Sequence, residues 1–385
     1  MINVDLLWYL IVPFLFTIGT IFILHKFVAG INWKQSVGAA AIGLVITAGI
    51  TAGAFYAGKG SKTADNEIWN GEMLSKARVH GSYVRSYSCN CYTTCSGSGK
   101  NRSCSQTCQT CYEDHYTVKW GCDSNIGHFG IDSKDWTSSS VYLVPDPPRY
   151  TIIQKGDPVA VEHSYTNYIK AVPETLFRPI QASLKTQFMG KIPEYPIEVY
   201  DFYHVNRVLA VDVPVPNIQQ WNDKLAEALK KLGPAKQANA VIVITKYGPD
   251  YFYALQDAWL NGKKNDIVLV IGAPEFPGKA AWVKIMALTQ DDIFQVKLRD
   301  DILALDSLTA DSVIDTLTKE AYATFKRKHM HDFEYLNAEI DPPAWVMVVT
   351  MILITGAYLG FWFYAFRNGN ASSYGRFGSP RFRRY

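Results

Sequence analysis

Three long apolar segments decide what this chain can fold into. Leu6–Leu24, Val37–Gly58 and Ala344–Phe366 contain no charged residue. A helix that rises about 1.5 Å per residue crosses the hydrocarbon core of a membrane, about 30 Å thick, in roughly 20 residues. We therefore predict three transmembrane helices. Two of them form a helical hairpin within residues 1–58, and the third spans residues 344–366.

The first apolar segment is predicted to be a retained anchor. A cleaved signal peptide begins with basic residues, has a short apolar core and ends at a cleavage site of small residues. Here Asp5 is the only charged residue before the segment, and the bulky residues Ile23 and Leu24 end it. These features argue against a signal peptide.

Basic residues beside the apolar segments predict the orientation in the membrane. The connector between the first two segments carries Lys26 and Lys34 and no acidic residue. Residues 367–385 also lack acidic residues and contain Arg367, Arg376, Arg381, Arg383 and Arg384. Because short segments rich in Lys and Arg stay in the cytoplasm, both belong there. We expect a multi-pass membrane protein whose large domain, residues 59–343, lies outside and whose basic C-terminal tail is cytoplasmic.

Two G-x-x-x-G motifs place small residues on one helix face each. Gly49 and Gly53 lie in the second apolar segment, and Gly356 and Gly360 lie in the third. Such faces let two helix backbones approach closely. They could pack against each other within one chain, or they could join copies into a homo-oligomer.

Composition and charge exclude two classes of function. No apolar segment has an Asp, Glu, Lys, Arg or His in its middle, which argues against an ion or proton transporter. The net charge is +3, and much of the excess comes from the tail, so the outer part is close to neutral and nucleic acid is not an expected partner. Aromatic residues make up 14 % of the chain, with 23 Tyr, which favours a β-rich or surface-binding outer part.

All seven cysteines lie between Cys89 and Cys122. Thiols outside the membrane oxidise, so we predict disulfides among Cys89, Cys91, Cys95, Cys104, Cys108 and Cys111. Cys122 is the expected odd cysteine, because it is separated from the cluster. A zinc site is the alternative, and only Cys108-x-x-Cys111, with His115 nearby, has suitable spacing for it. Free thiols are the remaining alternative.

Residues 59–148 are predicted to form a cysteine-rich β segment. Arg78–Tyr92 and His115–Cys122 alternate in polarity and are rich in Tyr, Val and Trp, which predicts two strands. Thr93–Thr107 is rich in Ser, Gly and Thr and is predicted to be a loop. We expect a hairpin whose tip is held by disulfides, followed by a linker at Asp146-Pro147-Pro148.

Residues 149–335 are predicted to form an outer α/β domain. An amphipathic helix is expected over Asn217–Gly233, with Asn217 as its cap and Gly233-Pro234 as its stop. Two buried parallel strands then flank a further helix. The remaining predictions are a third strand and two helices near 290–305 and 309–330. The middle elements are Ala240–Thr245, Asp250–Leu260, Ile267–Ile271 and Ala281–Leu288. The fold class is therefore an α+β membrane protein that carries an outer α/β sandwich.

Asp250, Asp266 and Glu275 are the candidate metal ligands. Ligands of open α/β sheets bind beyond the carboxyl ends of the strands, where these carboxylates are expected, and they could hold Ca²⁺ or Mg²⁺. The alternative is that they are helix caps and turn residues. The common catalytic motifs are absent from the sequence, so we assign no catalytic residue and no cofactor.

The order of elements in residues 217–330 resembles the TPM-domain family. The resemblance rests on the strand AVIVIT, a helix ending in Trp259-x-x-Gly262, and Asn265-Asp266 before an apolar strand. It implies a membrane-tethered α/β domain and, for some members, metal binding and phosphatase activity. The chain departs from that family at Ile267 and at residues 286–288, where glycines are usual.

Five short segments resemble uncharacterised membrane proteins of large tailed bacteriophages. They are Glu67–Gly71, Ser88–Cys95, Lys155–Pro158, His163–Tyr168 and Lys263–Asp266. The resemblance implies insertion in the inner membrane of a bacterial host, with the outer domain in the periplasm. It brings no known activity.

The first hypothesis for function is a membrane-anchored, periplasm-facing interaction module. Such a phage-encoded factor would act at the host cell envelope, with the lipid bilayer and an envelope or membrane protein as partners. The alternative is a metal-dependent hydrolase of the TPM type, which depends on resemblance of fold alone.

Overall fold

The computed structural model describes residues 4–28, 32–97, 102–172, 182–199 and 206–374. The chain divides into two compact units. The first unit comprises Met1–Asp65, Tyr165–Arg178 and His329–Tyr385, and the second comprises Asn66–Ser164 and Pro179–Lys328.

The helices and strands follow one another in a simple order. The first unit holds α1 (Val4–Phe27), α2 (Trp33–Thr63), α4 (Tyr168–Ala171), a 3-10 helix (Met330–Glu339) and α10 (Ala344–Tyr374). The second unit begins with β1 (Ala64–Ser96), β2 (Ser103–Ser124), β3 (Gly127–Trp136), a 3-10 helix (Ser139–Leu143), α3 (Pro148–Ile152) and β4 (Pro158–Thr166). It continues with α5 (Ala182–Gln187), β5 (Val208–Val211), α6 (Ile218–Lys236), β6 (Asn239–Thr245), α7 (Asp250–Ala258), β7 (Asp266–Gly272), β8 (Trp282–Ala287), α8 (Ile293–Leu303) and α9 (Ala310–Thr324).

Three helices of the first unit are long and apolar enough to cross a membrane. They are Leu6–Phe27, Trp33–Thr63 and Ala344–Arg367. Aromatic and hydroxyl side chains join them. The Phe16 ring stacks on Tyr358 at a centroid distance of 5.0 Å, and Trp362 Nε1 donates to Thr20 Oγ1 at 2.9 Å. These contacts bind α10 to α1.

Among the described residues, none packs closely against the predicted G-x-x-x-G glycines. A Cβ atom added at Gly49, Gly53, Gly356 or Gly360 would meet nothing within 4 Å. Close packing instead occurs at Gly19, where a Cβ atom would lie 3.2 Å from the Trp362 ring. The alternative that the motifs pack against each other within one chain is therefore wrong.

The first sheet of the second unit has the strand order β3-β2-β1-β4. β1 and β2 pair antiparallel from Met73↔Ser124 to Ser96↔Ser103. The prediction of a loop over Thr93–Thr107 was wrong, because both strands run through most of that range. β4 joins the same sheet, so the cysteine-rich part extends beyond the predicted boundary at residue 148.

One face of this sheet carries a small apolar core. Trp120 and Val118 pack with Val141 and Tyr150. A second cluster joins Cys122, Phe129 and Met73 to residues of β4 and to Ile153, which follows α3. The predicted linker also contacts the sheet, because Asp146 accepts a hydrogen bond from Trp120 Nε1 at 2.7 Å. It therefore continues the packed structure.

The second sheet has the order β5-β6-β7-β8, with β5 to β7 parallel and β8 antiparallel. Helices α6, α8 and α9 pack on one face, and α7 packs on the other. The predicted helices and strands of this region are confirmed. α6 and α7 lie on opposite faces, although each leads to the next strand in the same direction across the sheet. These two connections therefore differ in hand, whereas nearly all such connections are right-handed.

The predicted end of α6 was wrong, and the reason is a close contact. The helix continues through Gly233 and Pro234 to Lys236. A Cβ atom at Gly233 would overlap the backbone carbonyl of Asn70 in β1. The glycine therefore serves close packing of β1 on the helix rather than a stop. Asn217 precedes the helix in a left-handed conformation, φ 52°, without a side-chain cap bond.

Candidate functional site

A two-stranded arm of the second unit exposes many polar and aromatic side chains. β3 pairs with β2 only from Tyr116 onward, so Tyr83–Ser96 and Ser103–His115 pair with each other alone. We call these two segments the stapled arm. Such an isolated hairpin is marginally stable in water unless something else holds it.

Three disulfides hold the stapled arm. The pairs are Cys89–Cys111, Cys91–Cys108 and Cys95–Cys104, with sequence separations of 22, 17 and 9. A bridge that closes a loop of about 15 residues stabilises by roughly 3 kcal/mol in the chain-entropy model. The six predicted cysteines are thus bonded, and neither Cys108 nor Cys111 has a thiolate to offer zinc. Cys122 is unpaired and buried, and burial raises the pKa of its thiol.

The outer part of the stapled arm is uncharged and rich in hydroxyl and amide groups. Ser86–Ser96 and Ser103–Tyr112 contain no Lys, Arg, Asp or Glu. Tyr92 and Tyr112 are 59 % and 71 % exposed. Rigid tyrosines combined with adaptable Ser, Asn and Gly residues are the composition of antibody paratopes, where tyrosine supplies contact area at low entropic cost. The stapled arm therefore has the chemistry of a protein-binding surface.

A carboxylate fixes the base of the stapled arm. Asp135 of β3 accepts a hydrogen bond from Tyr83 at 2.6 Å and contacts His115 Nδ1 at 2.7 Å. These two bonds hold the pKa of Asp135 below its usual range, and the one from Tyr83 has the larger effect. The imidazole of His115 also lies flat against the Tyr83 ring. His115, considered above as a metal ligand, thus orients the arm on the sheet.

The structure does not bring the three predicted metal ligands together. Glu275 follows the carboxyl end of β7, whereas Asp266 begins that strand, six residues and roughly 20 Å before its carboxyl end. Asp250 opens α7 beyond the carboxyl end of β6 and is exposed, as is Glu275. The prediction that these three carboxylates form one metal site was therefore wrong. Asp250 and Glu275 lie beyond the carboxyl ends of the strands, and Asp266 lies at the amino end.

Asp266 is buried in a structural role at the amino end of the sheet. Its carboxylate accepts hydrogen bonds from Tyr195 Oη at 2.8 Å, Asn239 Nδ2 at 2.9 Å and the backbone N–H of Lys263 at 2.7 Å. Burial raises the pKa of this carboxyl. Nearby Gly262 has φ 76°, a conformation that suits glycine. The motif residues that resemble the TPM domain thus form the turn before β7.

A buried polar network joins β1 to this end of the sheet. Glu67 accepts two hydrogen bonds from Arg327 Nη2, at 2.5 and 2.7 Å, and one from Trp69 Nε1 at 2.8 Å. Asn265 Nδ2 donates to the carbonyl of Ile68 at 2.6 Å. Sequence reasoning missed this network, because its members are distant in sequence and no local pattern shows that Glu67 meets Arg327.

Sequence reasoning also missed a polar cluster at the carboxyl end of β5. Asp212 accepts a hydrogen bond from Tyr247, and Lys191 Nζ lies 3.2 Å from the same carboxylate. These two hydrogen bonds lower the pKa of Asp212, and the one from Tyr247 has the larger effect. The only sequence signal was the position of Asp212 directly after a short strand.

An open trough of about 620 Å³ lies on the solvent side of the first sheet. Its floor is a row of small residues in register, Ala77↔Gly121↔Gly130. Lys119, His128, Asp132 and Ser133 are among the residues that line it. Charges of both signs and hydroxyl groups surround it, so no single ligand class follows.

Within the described residues, no group of three or more His, Cys, Asp or Glu side chains is placed to hold a metal ion. Comparisons with protein-family models, curated proteins and solved structures found no match to this chain.

Proposed function

We propose that this chain is a membrane-anchored module that faces the periplasm of a bacterial host and works through protein contacts. The stapled arm is the observation that carries the proposal, because it presents an uncharged, tyrosine-rich surface on a rigid support. In this proposal the three apolar helices insert in the inner membrane, and the partner is an envelope or membrane protein. Nucleic acid is not a partner, since the outer part is close to neutral.

The disulfides support the outer placement of the second unit. Three bridges in one hairpin are typical of oxidising compartments and rare in the cytoplasm. The basic connector with Lys26 and Lys34 supports the same orientation independently. The proposal that the factor is phage-encoded rests on the five segments that resemble phage membrane proteins.

The orientation predicts where a reporter works. A reporter that is active only in the cytoplasm should be active when fused after Tyr385 or between Lys26 and Lys34. It should be inactive in a fusion that ends at Asp146, because the positive-inside rule places that residue outside. Activity at Asp146 would reverse the proposed topology.

The stapled arm predicts where the partner binds. A photo-reactive residue at Tyr112 should cross-link an envelope protein in host cells, because this side chain is 71 % exposed on an uncharged surface. The same probe at Tyr253, which is 45 % exposed but lies on α7, is the matched control and should give no such product. Joining Arg85 to Glu113 through an Asn-Gly turn removes the tip of the arm and should leave the sheet in place. Partner products at Tyr253 alone would contradict the proposal.

The exposed G-x-x-x-G faces support a second proposal, that copies associate through Gly49, Gly53, Gly356 and Gly360. Leucine at both Gly49 and Gly53 should weaken self-association in lipid, because it blocks close backbone approach. Leucine at Gly38, which is equally open but outside the motif, is the control and should have little effect. Förster transfer between labelled copies measures the difference. Equal association of the wild type, the variant at Gly49 and Gly53 and the variant at Gly38 would show that copies do not associate through these faces.

The rival function, a metal-dependent hydrolase, rests on resemblance alone. It would keep only Asp250 and Glu275 as candidate ligands for Ca²⁺ or Mg²⁺, since Asp266 lies at the opposite, amino end of the strands. Both residues are exposed and the described residues add no third carboxylate to them. We therefore favour the interaction module and assign no cofactor.

A further inference from the structure

In the described parts of the chain, no strand lies beside the outer edge of β2 in the stapled arm. β1 pairs with one side of β2 along its whole length, whereas β3 occupies the other side only from Tyr116 to Ser124. Within the part of the chain that the structure describes, residues 103–115 therefore present a row of backbone N–H and C=O groups to the surroundings.

This edge lacks the features that normally protect an edge strand. Natural proteins protect exposed edges with charged residues, proline or a bulge. Ser103–Tyr112 has no charged residue and no proline. The register shift lies between Cys89 and Tyr92, where Asn90 has φ 46°, so it interrupts β1 and leaves β2 regular. The edge of β2 is thus a long, regular template for another strand.

The disulfide at the end of the arm shows which groups face outward. Cys95 and Cys104 lie directly opposite each other, with Cα atoms 4.0 Å apart. Opposite residues that exchange hydrogen bonds lie about 5.5 Å apart, and those that do not lie about 4.5 Å apart. The N–H and C=O groups of Cys104 therefore point away from β1. Because directions alternate along a strand, the even-numbered residues from 104 to 114 present theirs at the outer edge.

We propose that this edge pairs with the same edge of a second copy of the chain. The two strands run antiparallel with Cys108 opposite Cys108, so that Arg102 of each copy lies opposite Asp114 of the other. Two residues that exchange hydrogen bonds across this pair must both present their N–H and C=O groups at the outer edge. Both residues must therefore be even-numbered. A register shifted by one residue, with Arg102 opposite Glu113, is excluded by this rule.

The charges at the two ends of the edge favour a second copy in this orientation. Arg102 precedes the uncharged stretch, and Glu113 and Asp114 follow it. An antiparallel pair brings opposite charges together at both ends, whereas a parallel pair would place Arg102 beside Arg102. Directly opposite charges of unlike sign stabilise strand pairs, and those of like sign destabilise them.

The inference goes beyond the proposed function, because it assigns a second copy to one edge of the arm. Side chains of a strand stand on the faces of the sheet, so the exposed side chains of Tyr92 and Tyr112 stay available for the envelope partner when the edge of β2 is paired. A chain that does not pair at this edge would refute the inference and leave the cross-link from Tyr112 to an envelope protein as a separate result.

A photo-cross-linker at Gln106 tests the pairing in the full chain, with its disulfides intact, in detergent micelles. The proposed register places Gln106 opposite Thr110 of the other copy. The expected product is a dimer in which the probe is joined to the segment around Thr110. The same probe at Ser88 on β1 is the control and should give little dimer. The proposal is overturned if the chain that carries the probe at position 106 and no other change gives no cross-linked dimer. It is also overturned if the probe is joined to a segment other than the one around Thr110.

Charge reversal tests the ends of the pairing. Arg102→Asp and Asp114→Arg should each reduce the cross-linked yield at Gln106, with association weakened about tenfold, since each places two like-charged pairs in the dimer. The double variant restores unlike pairs and should recover the yield. Intact disulfides, shown by mass, confirm that the arm has formed in each variant. Equal yields in all four chains, or no recovery in the double variant, would overturn the proposal.

Discussion

Replacing Glu67 by alanine is expected to lower the free energy of unfolding by about 3–5 kcal/mol. The side chain of Glu67 is only 3 % exposed and accepts two hydrogen bonds from Arg327, whose side chain is 13 % exposed. Lys264 Nζ lies 3.6 Å from the same carboxylate. Without Glu67, two largely buried cations would lose their counter-charge, and Trp69 Nε1 would lose its acceptor. Urea unfolding of the full chain in detergent, followed by tryptophan fluorescence, measures the change.

Glu227→Ala is the matched control for the loss of a carboxylate. Glu227 also pairs with a cation, since its Oε2 lies 2.7 Å from Lys230 Nζ, but its side chain is 56 % exposed. Exposed ion pairs contribute at most about 1 kcal/mol, because water screens them. Equal losses in the two variants would mean that the network between β1 and the second sheet does not hold the unit together.

Replacing Cys91 and Cys108 by serine is expected to open the stapled arm without unfolding the sheet. The bridge closes a segment with a sequence separation of 17. Because Cys89–Cys111 and Cys95–Cys104 stay bonded on either side, the restraint removed is at most about 3 kcal/mol, which should raise the population of the open arm by up to roughly a hundredfold. Chymotrypsin cleavage at Tyr87, Tyr92 and Tyr112 measures this population. The urea midpoint of the whole chain measures the stability of the sheet, which should stay unchanged.

Cys122→Ala is the control for the loss of a cysteine. This residue is unpaired and lies in the core beneath the first sheet. Its replacement should lower the urea midpoint slightly and leave cleavage of the arm unchanged. Slow cleavage in the chain that lacks Cys91 and Cys108 would show that pairing or a partner holds the arm without that bridge.

The cysteine pattern was predictable in part. An odd number of cysteines and the isolation of Cys122 were sufficient to identify the unpaired residue. The pairing itself was left open, because connectivity depends on strand register. That register also carried the strands as far as Ser96 and from Ser103 onward, inside the range Thr93–Thr107 where serine and glycine content predicted a loop. The cross-strand bridge between Cys95 and Cys104 keeps these weak strand formers paired to the tip.

The carboxylates were harder to place. Asp250 and Glu275 lie after strands, as expected from their positions in the sequence. Asp266 lies just before an apolar run, and the sequence did not show that its side chain turns inward to bind Tyr195 and Asn239. Burial of a carboxylate depends on partners supplied by other segments, which local patterns do not contain.

Local physical properties explain what the sequence alone determined. The length and apolarity of the three segments predicted the long helices, and runs such as Ala240–Thr245 predicted buried strands, because both signals are local. Only the tertiary structure decided that Gly233 serves contact with Asn70, that α6 and α7 lie on opposite faces, and that Glu67 meets Arg327. Each of these depends on two segments far apart in the chain, and their meeting is set by the packing of the whole unit.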